Sequence, residues 1–589
     1  MLPKVLEALV YCNAIERWSG TLIVSISPSA VLSPGFHLNR PTLSAESQYM
    51  SQKQRFILLV LLSSLLMIAD DFLQQLYSPS NHAELELEFV FVVFILNACL
   101  WGAGQRWLAN LVLGIFAGMQ LLQLSHISYV GAPLTAIDLS KLFDEREEIG
   151  IAIRHALPSH WPVLLAWALP WGALFWLYNR YLRATGWKTS VVCVLLVFMI
   201  LGEKPYRATH KDLVKFMPGP TRSSLHNSHK AFSYYLVRMA FRTVEVEHPP
   251  FAPYQLGQTA EGVLADNILL FVSDSARYER QGLAGYPRDT TPRLGARVET
   301  GEMLSRHGIA ASVATGSSLP LLFNVIREPG NVLELERGMA NLFKQARQAG
   351  YKTFWLSTQE SKLLNRLDIA SIDVVITRED EPVDLARKGD RLILDWLEEQ
   401  EFGARNFIVV NTRTAHSPYA DAYAAQNDFG VWPDGSQLPY SERQSNAYDN
   451  AMRFLDQLQD DSYSWLLQRF PGNSLWVGTS DHGQLVGEGG QWGHNRLEPE
   501  VASVPLVVSR HPATEHLPDG FVSHYQLGKW LLRVMGADLV NRNEVKGVHY
   551  LQSDKLYEDN LFLEIHEQGS PLSFCDVSMV SRYQNNDDC

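Results

Sequence analysis

Ser474-Leu-Trp-Val-Gly-Thr-Ser-Asp-His-Gly483 is a short apolar run of strand type that ends on an acid, an imidazole and a glycine. Two other stretches behave in the same way. Asn267-Ile-Leu-Leu-Phe-Val272 runs into Ser273-Asp274-Ser275, and Phe407-Ile-Val-Val410 runs through Asn411 to His416. Ligands of open α/β sheets bind beyond the carboxyl ends of the strands, so Asp274, His416, Asp481 and His482 are the candidate site residues. His494 follows His482 by twelve residues, past a turn containing Gly487, Gly489 and Gly490 that can fold it back.

Working outward, further strand-type runs lie at 352–356, 373–376 and 504–508, besides 267–272, 407–410 and 474–478. They alternate with helix-period segments at 338–348, 391–399 and 446–467, which makes the chain from about residue 265 onward an α/β sheet with covering helices. Taken singly, an Asp at a strand end is an ordinary turn or helix cap, and a lone His an ordinary packed residue. Together, carboxylate oxygen and imidazole are the ligand mix that zinc accepts in a catalytic site with an open position. Val313-Ala-Thr-Gly-Ser-Ser-Leu-Pro320 supplies a nucleophile ahead of an apolar helix-like run. Ser317 or Ser318 is expected to cap that helix with Pro320 in its first turn. Thr315 then lies at the positive helix end, which stabilises both alkoxide and phosphate charge.

The front of the chain has another character. A bilayer core demands about 20 largely apolar residues per helix, because unpaired amides cannot be left in hydrocarbon. The stretches 56–69, 89–104, 107–129, 161–178 and 189–202 approach that, the first and last with flanking residues recruited. Lys53 and Arg55, then Arg106, then Arg180, Arg183 and Lys188 fall in alternate connections, as cytoplasmic loops should. Five spans with a cytoplasmic start put everything after about residue 205 outside the inner membrane. The intervening 133–160 stretch mixes apolar and charged residues at near-helical spacing, which suits a helix on the outer membrane boundary or an ordinary packed loop helix. Residues 205–262 read as a linker wrapped on the surface. Residues 1–49 lack the basic start of a secretory signal, and Met50-Ser-Gln-Lys-Gln-Arg55 looks more like a true beginning, so 1–49 reads as an upstream extension from a misassigned start.

Composition bounds the function. The 589 residues are 46% hydrophobic and 11% aromatic with 15 Trp, which excludes disordered, collagen-like and disulfide mini-protein classes. Residues 1–204 hold 13 Lys+Arg against 14 Asp+Glu, and residues 205–589 hold 37 against 49, so the acidity belongs to the back half. Such a domain repels a polyphosphate backbone, and no nucleic acid partner is expected. The five cysteines form no CxxC and no disulfide framework. Cys99 and Cys193 sit in apolar runs, and Cys575 and Cys589 are either a bridge or two free thiols.

Placed together, these residues resemble the phosphoethanolamine transferases of the alkaline phosphatase and sulfatase superfamily, inner-membrane enzymes that decorate lipid A and related envelope glycans. The matching stretches are Ser273-Asp-Ser-Ala-Arg277, Gly285-Tyr-Pro-Arg-Asp-Thr-Thr-Pro292, Thr315 five residues before Pro320, Asn446-Ala-Tyr-Asp-Asn450, Ser480-Asp-His-Gly483 and His494. The resemblance implies an α-helical transmembrane domain at 50–204, the linker at 205–262, and a periplasmic sulfatase-like α/β catalytic domain at 263–589. It implies a zinc ion, rather than manganese, held by Asp274, Thr315, Asp481 and His482, with Thr315 as the residue that becomes phosphoethanolaminylated. His416 and His494 resemble the family's histidines at the transferred phosphate or at a second zinc. The donor implied is phosphatidylethanolamine from the bilayer, and the acceptor a glycan or glycolipid. Three departures stand out. Asp274 replaces the usual Glu, Gln484 replaces an acid, and Ala311 and Leu321 occupy the places of cysteines that flank the nucleophile in many relatives.

Three other readings share parts of this pattern. A sulfatase needs Cys or Ser followed by x-Pro-x-Arg, and Ser318-Leu-Pro-Leu-Leu322 lacks the Arg. A phosphoglycerol transferase also joins a membrane anchor to a Thr and a divalent metal. A catalytically inactive membrane scaffold would keep the fold without turnover.

Overall fold

The computed structural model describes residues 51–72, 87–144, 146–211, 213–218, 223–241, 250–424, 429–557, 561–567 and 573–579. The 1–49 extension and Cys589 lie outside the described residues, as does the side chain of Cys575. The chain divides into two compact units. One comprises Met1–Leu124, Pro162–Tyr206 and Gly219–His229; the other comprises Ser125–Trp161, Arg207–Pro218 and Lys230–Cys589.

The first unit is helical. Its elements are α1 (Gln52–Met67), α2 (Leu87–Ala103), most of α3 (Arg106–Val130), and, beyond the short α4 (Ala136–Asp144), most of α5 (Arg146–Tyr181) and α6 (Trp187–Ala208). Each stretch read as a span is helical over most of its length. Among the described residues three helices are long and apolar enough to cross a membrane: Arg106–Val130, Trp161–Tyr181 and Trp187–Ala208. Leu87–Ala103 is a shorter apolar helix. Large apolar side chains such as Leu169, Leu195 and Met199 face outward, the reverse of a water-soluble bundle. Between helices the contacts include polar bridges, as expected where burial of apolar surface offers little drive. Trp101 stacks on Tyr178 with centroids 4.4 Å apart and donates from Nε1 to Ser63 Oγ at 2.9 Å, and Tyr178 donates to Asn97 Oδ1 at 2.9 Å.

Of the two readings of 133–160, the packed helix holds for α4, which belongs to the second unit with Ile137 and Leu139 buried, and the rest of the stretch begins α5. One expectation needs correction: residues 205–262 do not simply wrap a surface. They include α7 (Ser224–Tyr234) and bury Leu213, Phe216, Tyr234 and Met239. Apolar residues spaced along this Pro- and His-rich stretch supply that burial, and composition alone hides them.

The second unit is built on an eight-stranded sheet: β1 (Asn267–Ser273), β2 (Met303–Ile309), β3 (Lys352–Ser357), β4 (Val374–Ile376), β5 (Asn406–Asn411), β6 (Ser474–Ser480), β7 (Ser503–Ser509) and β8 (Val522–Ser523). Their order is β8-β2-β7-β6-β1-β5-β3-β4, and only β7 runs against the rest. Central β1 is buried along its whole length, so it reads as an unbroken apolar run. Side chains alternate between two cores. Ile268, Leu270 and Val272 face Trp355, Val409 and Val477 on one side, and Leu269 and Phe271 face Phe354, Val410 and Trp476 on the other.

Helices α8 (Thr315–Phe323) and α10 (His524–Val534) cover the first face, and α9 (Tyr440–Arg469) covers the second. The helix expected at 338–348 begins only at Leu342, because Gly338, in a left-handed conformation, ends a separate short helix at Val332–Arg337 and Asn341 caps Leu342–Gln348. A three-stranded antiparallel sheet of Val548–Gln552, Leu561–His566 and Ser573–Met579 braces the segment before α8. Gln552 exchanges backbone hydrogen bonds with Ala311 (2.9 Å) and Val313 (3.0 Å).

Candidate active site

Parallel β1 and β6 end side by side, with Ser273 opposite Ser480, so the residues that follow, Asp274 and Asp481, emerge together. Ser275 takes a left-handed φ of 60°, a strained conformation that lets its N–H donate to Asp481 Oδ1 at 3.0 Å. The His482 N–H donates to the same oxygen at 2.7 Å. Oδ1 is thus satisfied by the backbone, while the buried Oδ2 has no hydrogen-bond partner among the described residues. His482 Nδ1–H donates to Gly483 O at 3.0 Å, which leaves the Nε2 lone pair facing the acids. That nitrogen is 3.5 Å from Asp481 Oδ2, 4.0 Å from Asp274 Oδ1 and 3.4 Å from Thr315 Oγ1. The glycine of Asp-His-Gly has a packing reason: a Cβ at Gly483 would lie 2.2 Å from Glu500 O and 2.5 Å from Ser503 O.

Thr315 is the first residue of α8, and Ala314 in the cap position offers no side-chain hydrogen bond. The expected serine caps are corrected. Ser317 donates back to Ala314 O (3.0 Å), and Ser318 donates to Asp481 O (2.5 Å), tying the start of α8 to the Asp481-His482 turn. Neither serine caps the helix, and its start has no side-chain cap among the described residues.

His482 and His494 rings lie 4.3 Å apart and His416 and His494 rings 5.4 Å apart, so the Gly-rich turn does fold His494 back. His494 Nδ1–H donates to Gln484 Oε1 (3.1 Å), and Gln484 Nε2 donates to Tyr419 Oη (2.5 Å). His416 Nδ1–H donates to Ser417 O at 2.6 Å. Burial and the Arg413 guanidinium hold the His416 imidazole well below the usual histidine range, and burial with the neighbouring His482 and His416 does the same to His494. Both are neutral at pH 7. The loop carrying His416 is fixed by buried Asp390, which accepts from Arg413 N at 3.0 Å and from the hydroxyls of Thr358 and Thr414.

Asp274, Thr315, His416 and His494 line a cavity of about 240 Å³. Its wall also holds Glu360, Lys362, Arg378 and Arg413, which sequence reasoning missed. Glu360 pairs with Lys362 (2.5 Å) and Arg378 (3.2 Å). The strand-end rule applied to β3 would have found the first two, since Thr-Gln-Glu-Ser-Lys362 follows Ser357. The motif stretches 285–292 and 446–450 turn out to lock onto each other rather than line the cavity. Fully buried Asp449 pairs with Arg288 (2.6 Å) and Arg280 (3.3 Å), and Tyr448 Oη donates to Ser275 O (2.8 Å).

The residues present fit a divalent cation. One oxygen or nitrogen from each of Asp274, Asp481 and His482, all buried, lies within 4.8 Å of the others, and the orphaned Asp481 Oδ2 costs stability unless a cation meets it. Acids and an imidazole at the strand ends of a mixed sheet thus stand beside a helix-terminal hydroxyl. Residues 266–537 match the family model described as Sulfatase. Among relatives, YhbX of Escherichia coli (strain K12) is 28% identical over 222 residues, which is 37% of each chain. The phosphoethanolamine transferase EptA of Helicobacter pylori is 24% identical over 229 residues, 38% of this chain and 42% of that one. The match thus spans about two fifths of these relatives' length. The integral membrane lipooligosaccharide phosphoethanolamine transferase A of Neisseria meningitidis shares the fold, with TM-score 0.54 and 17% identity over 82% of this chain and 95% of that one.

Proposed function

We propose that this protein transfers phosphoethanolamine from phosphatidylethanolamine to an envelope glycan or glycolipid through a covalent adduct on Thr315. The observation that carries the reading is the Thr315 hydroxyl, 3.4 Å from His482 Nε2, a nitrogen itself 3.5 Å from the buried Asp481 Oδ2 that has no hydrogen-bond partner among the described residues. The likeness to a relative named a phosphoethanolamine transferase supports it, and a helical membrane unit in the same chain suits a lipid donor. In this reading all five helical stretches span the inner membrane and the catalytic unit faces the periplasm.

Asp274, Asp481, His482 and Thr315 Oγ1 would hold one zinc ion, which when bound makes the threonine hydroxyl acidic and offsets charge on the phosphoryl oxygens. Thr315 Oγ1 forms a bond to phosphorus as the bond to the diacylglycerol oxygen breaks, and that oxygen leaves with the proton Thr315 gives up. The uncapped start of α8 offers its first N–H groups to the phosphoryl oxygens. His416 and His494, neutral and lining the same cavity, orient the phosphoryl group, with the Arg413 guanidinium adding positive charge. An acceptor oxygen then attacks phosphorus, its proton returning to Thr315, and the two displacements together retain configuration.

Peptide mass spectrometry of the full chain incubated with phosphatidylethanolamine tests this. A phosphoethanolamine adduct on Thr315, absent in Thr315→Ala, is expected. Phosphoglycerol label on Thr315 from phosphatidylglycerol would move the reading to a phosphoglycerol transferase, and bound zinc with neither adduct nor turnover would make the protein a scaffold. Deleting the gene and weighing the envelope glycans identifies the acceptor by the phosphoethanolamine unit that is lost.

A further inference from the structure

His524 is fully buried, belongs to no motif quoted above, and does not line the cavity. It is the first residue of α10, delivered by the two-residue β8, which pairs in parallel with the end of β2 so that Ser523 stands opposite Ile309. Strand β2 leads directly into the segment that carries Thr315. This pairing sets the imidazole between two chain segments that are far apart in sequence.

Its two nitrogens have opposite tasks. Nδ1 accepts from the Ala311 N–H at 3.2 Å, and Nε2–H donates to Ser480 O at 2.9 Å. Ala311 lies four residues before Thr315, and Ser480 immediately precedes Asp481 and His482. The Ser318 hydroxyl lies 3.4 Å from the same Nδ1 and donates to Asp481 O, so a second, shorter link runs parallel to the first. The helix under the imidazole is anchored independently. Ser523 Oγ accepts from Gln526 N and the Gln526 side chain returns to the Ser523 N–H, a capping box that fixes where His524 begins.

We infer that His524 is a positioning residue: one neutral imidazole, bonded to Ala311 and to Ser480, holds the Thr315 hydroxyl in register with the Asp481-His482 turn. The inference rests on the reading of Thr315 as nucleophile and of Asp481 and His482 as metal ligands. No other residue type supplies a rigid donor and acceptor on opposite sides of one ring at this separation. Residues behind the ligands of a metal site commonly govern affinity or activity by about 10- to 100-fold, through geometry rather than contact.

The test uses the purified full-length protein in detergent with three substitutions. Glutamine at this position keeps a donor near the place of Nε2, asparagine keeps an acceptor near the place of Nδ1, and leucine keeps bulk without either. Zinc affinity is measured by competition with a chromogenic chelator, and kcat and KM for phosphatidylethanolamine are measured per zinc-loaded site. His524→Leu is expected to weaken zinc binding about 10-fold and to lower kcat about 100-fold with KM unchanged, because no group of His524 meets the donor lipid. His524→Gln is expected to keep zinc affinity near that of the unmodified protein while kcat falls about 10-fold, since only the Ala311 link is lost. His524→Asn is expected to show the reverse emphasis, zinc affinity falling more than turnover per loaded site.

A leucine variant with unchanged zinc affinity and unchanged kcat per loaded site overturns the inference, as does a glutamine variant that binds zinc no better than leucine. Should the leucine variant fail to fold, the glutamine and asparagine pair decides alone: equal effects on both readouts refute the positioning role, and split effects support it. If the unmodified protein moves no phosphoethanolamine, the functional reading fails by itself, whereas the zinc competition still decides what His524 does.

Discussion

Oδ1 of Asp481 accepts from two backbone N–H groups, whereas Oδ2 is buried without a hydrogen-bond partner among the described residues. Asp481→Asn separates the two roles. Oδ1 keeps its donors, and the orphaned oxygen becomes an amide, so the metal-free variant is expected to be more stable than metal-free wild type by about 1–3 kcal/mol. With zinc present the order reverses, because only the carboxylate form gains from binding. Thermal melts with and without chelator check both signs. His524 makes a pH prediction. Burial lowers its pKa from 6.5 to about 4, so between these values the unfolded chain holds a proton that the folded chain refuses. Stability is therefore fully present above pH 6.5 and is lost as pH falls toward 4, on the order of 3 kcal/mol. The midpoint of unfolding should drop more steeply across that window in the unmodified protein than in His524→Gln. A distance of one residue also decides what a sequence can reveal. Asp274, Asp481 and His482 were legible because each follows its strand at once, while Arg413 stood unnoticed in the same run as His416.

Buried Asp449 on α9 is held by Arg280 and Arg288 from the turns after β1, and Tyr448 beside it fastens the Ser275 carbonyl. Removing the acid breaks both ion pairs while Arg280 keeps Glu488, Tyr286 and Ser445 and Arg288 keeps Asn446, so Asp449→Ala is expected to cost about 3 kcal/mol, the low end for a broken buried pair. The folded variant should bind zinc as the unmodified protein does, because no contact joins Asp449 to the proposed ligands among the described residues. Denaturant midpoints together with metal analysis test that division. A Cβ at position 483 would act oppositely. It would push Asp-His-Gly off the backbone of Glu500 and Ser503, so Gly483→Ala should lose zinc binding even where protein accumulates. Strands β1, β5, β6 and β7 were readable because burial on both faces makes them continuous apolar runs. Strand β2 was not, since Ser305, Arg306 and His307 sit half-exposed and break the pattern. Strand β8 has two residues and no pattern at all, yet it carries His524 to its place. Local sequence declares elements that pay their own way in burial; those positioned by a neighbour's edge stay silent.

The division of the chain does not follow the order of its spans. Residues 125–161 lie in sequence between two helices of membrane-crossing length and still belong to the unit that holds Thr315. Ala136 and Ile137 on α4 are buried with Leu213, Phe216, Tyr234 and Leu561. Lys141 bonds to Asn495, next to His494, and lies 3.8 Å from Asp554. Gly131 approaches Gly490 so closely, with φ of 85°, that a Cβ would meet its carbonyl oxygen at 2.0 Å. A hydropathy reading leaves this stretch between the membrane boundary and an ordinary packed helix because it scores only local composition; its apolar residues in fact pack in the second unit. Two truncations of similar size separate the alternatives. Ile137→Ala opens a cavity in that core and is expected to lower the stability of the second unit by about 2–5 kcal/mol. Leu169→Ala, on the outward face of α5, removes as much apolar surface from a side chain that is 69% exposed and should leave the unit unchanged. Hydrogen exchange in β1 and β6 of the full chain in detergent reads the difference. Faster exchange in the first variant alone means that a connection between two helices of membrane-crossing length stabilises the sheet beneath Thr315, while equal exchange in both would return residues 125–161 to the helical unit.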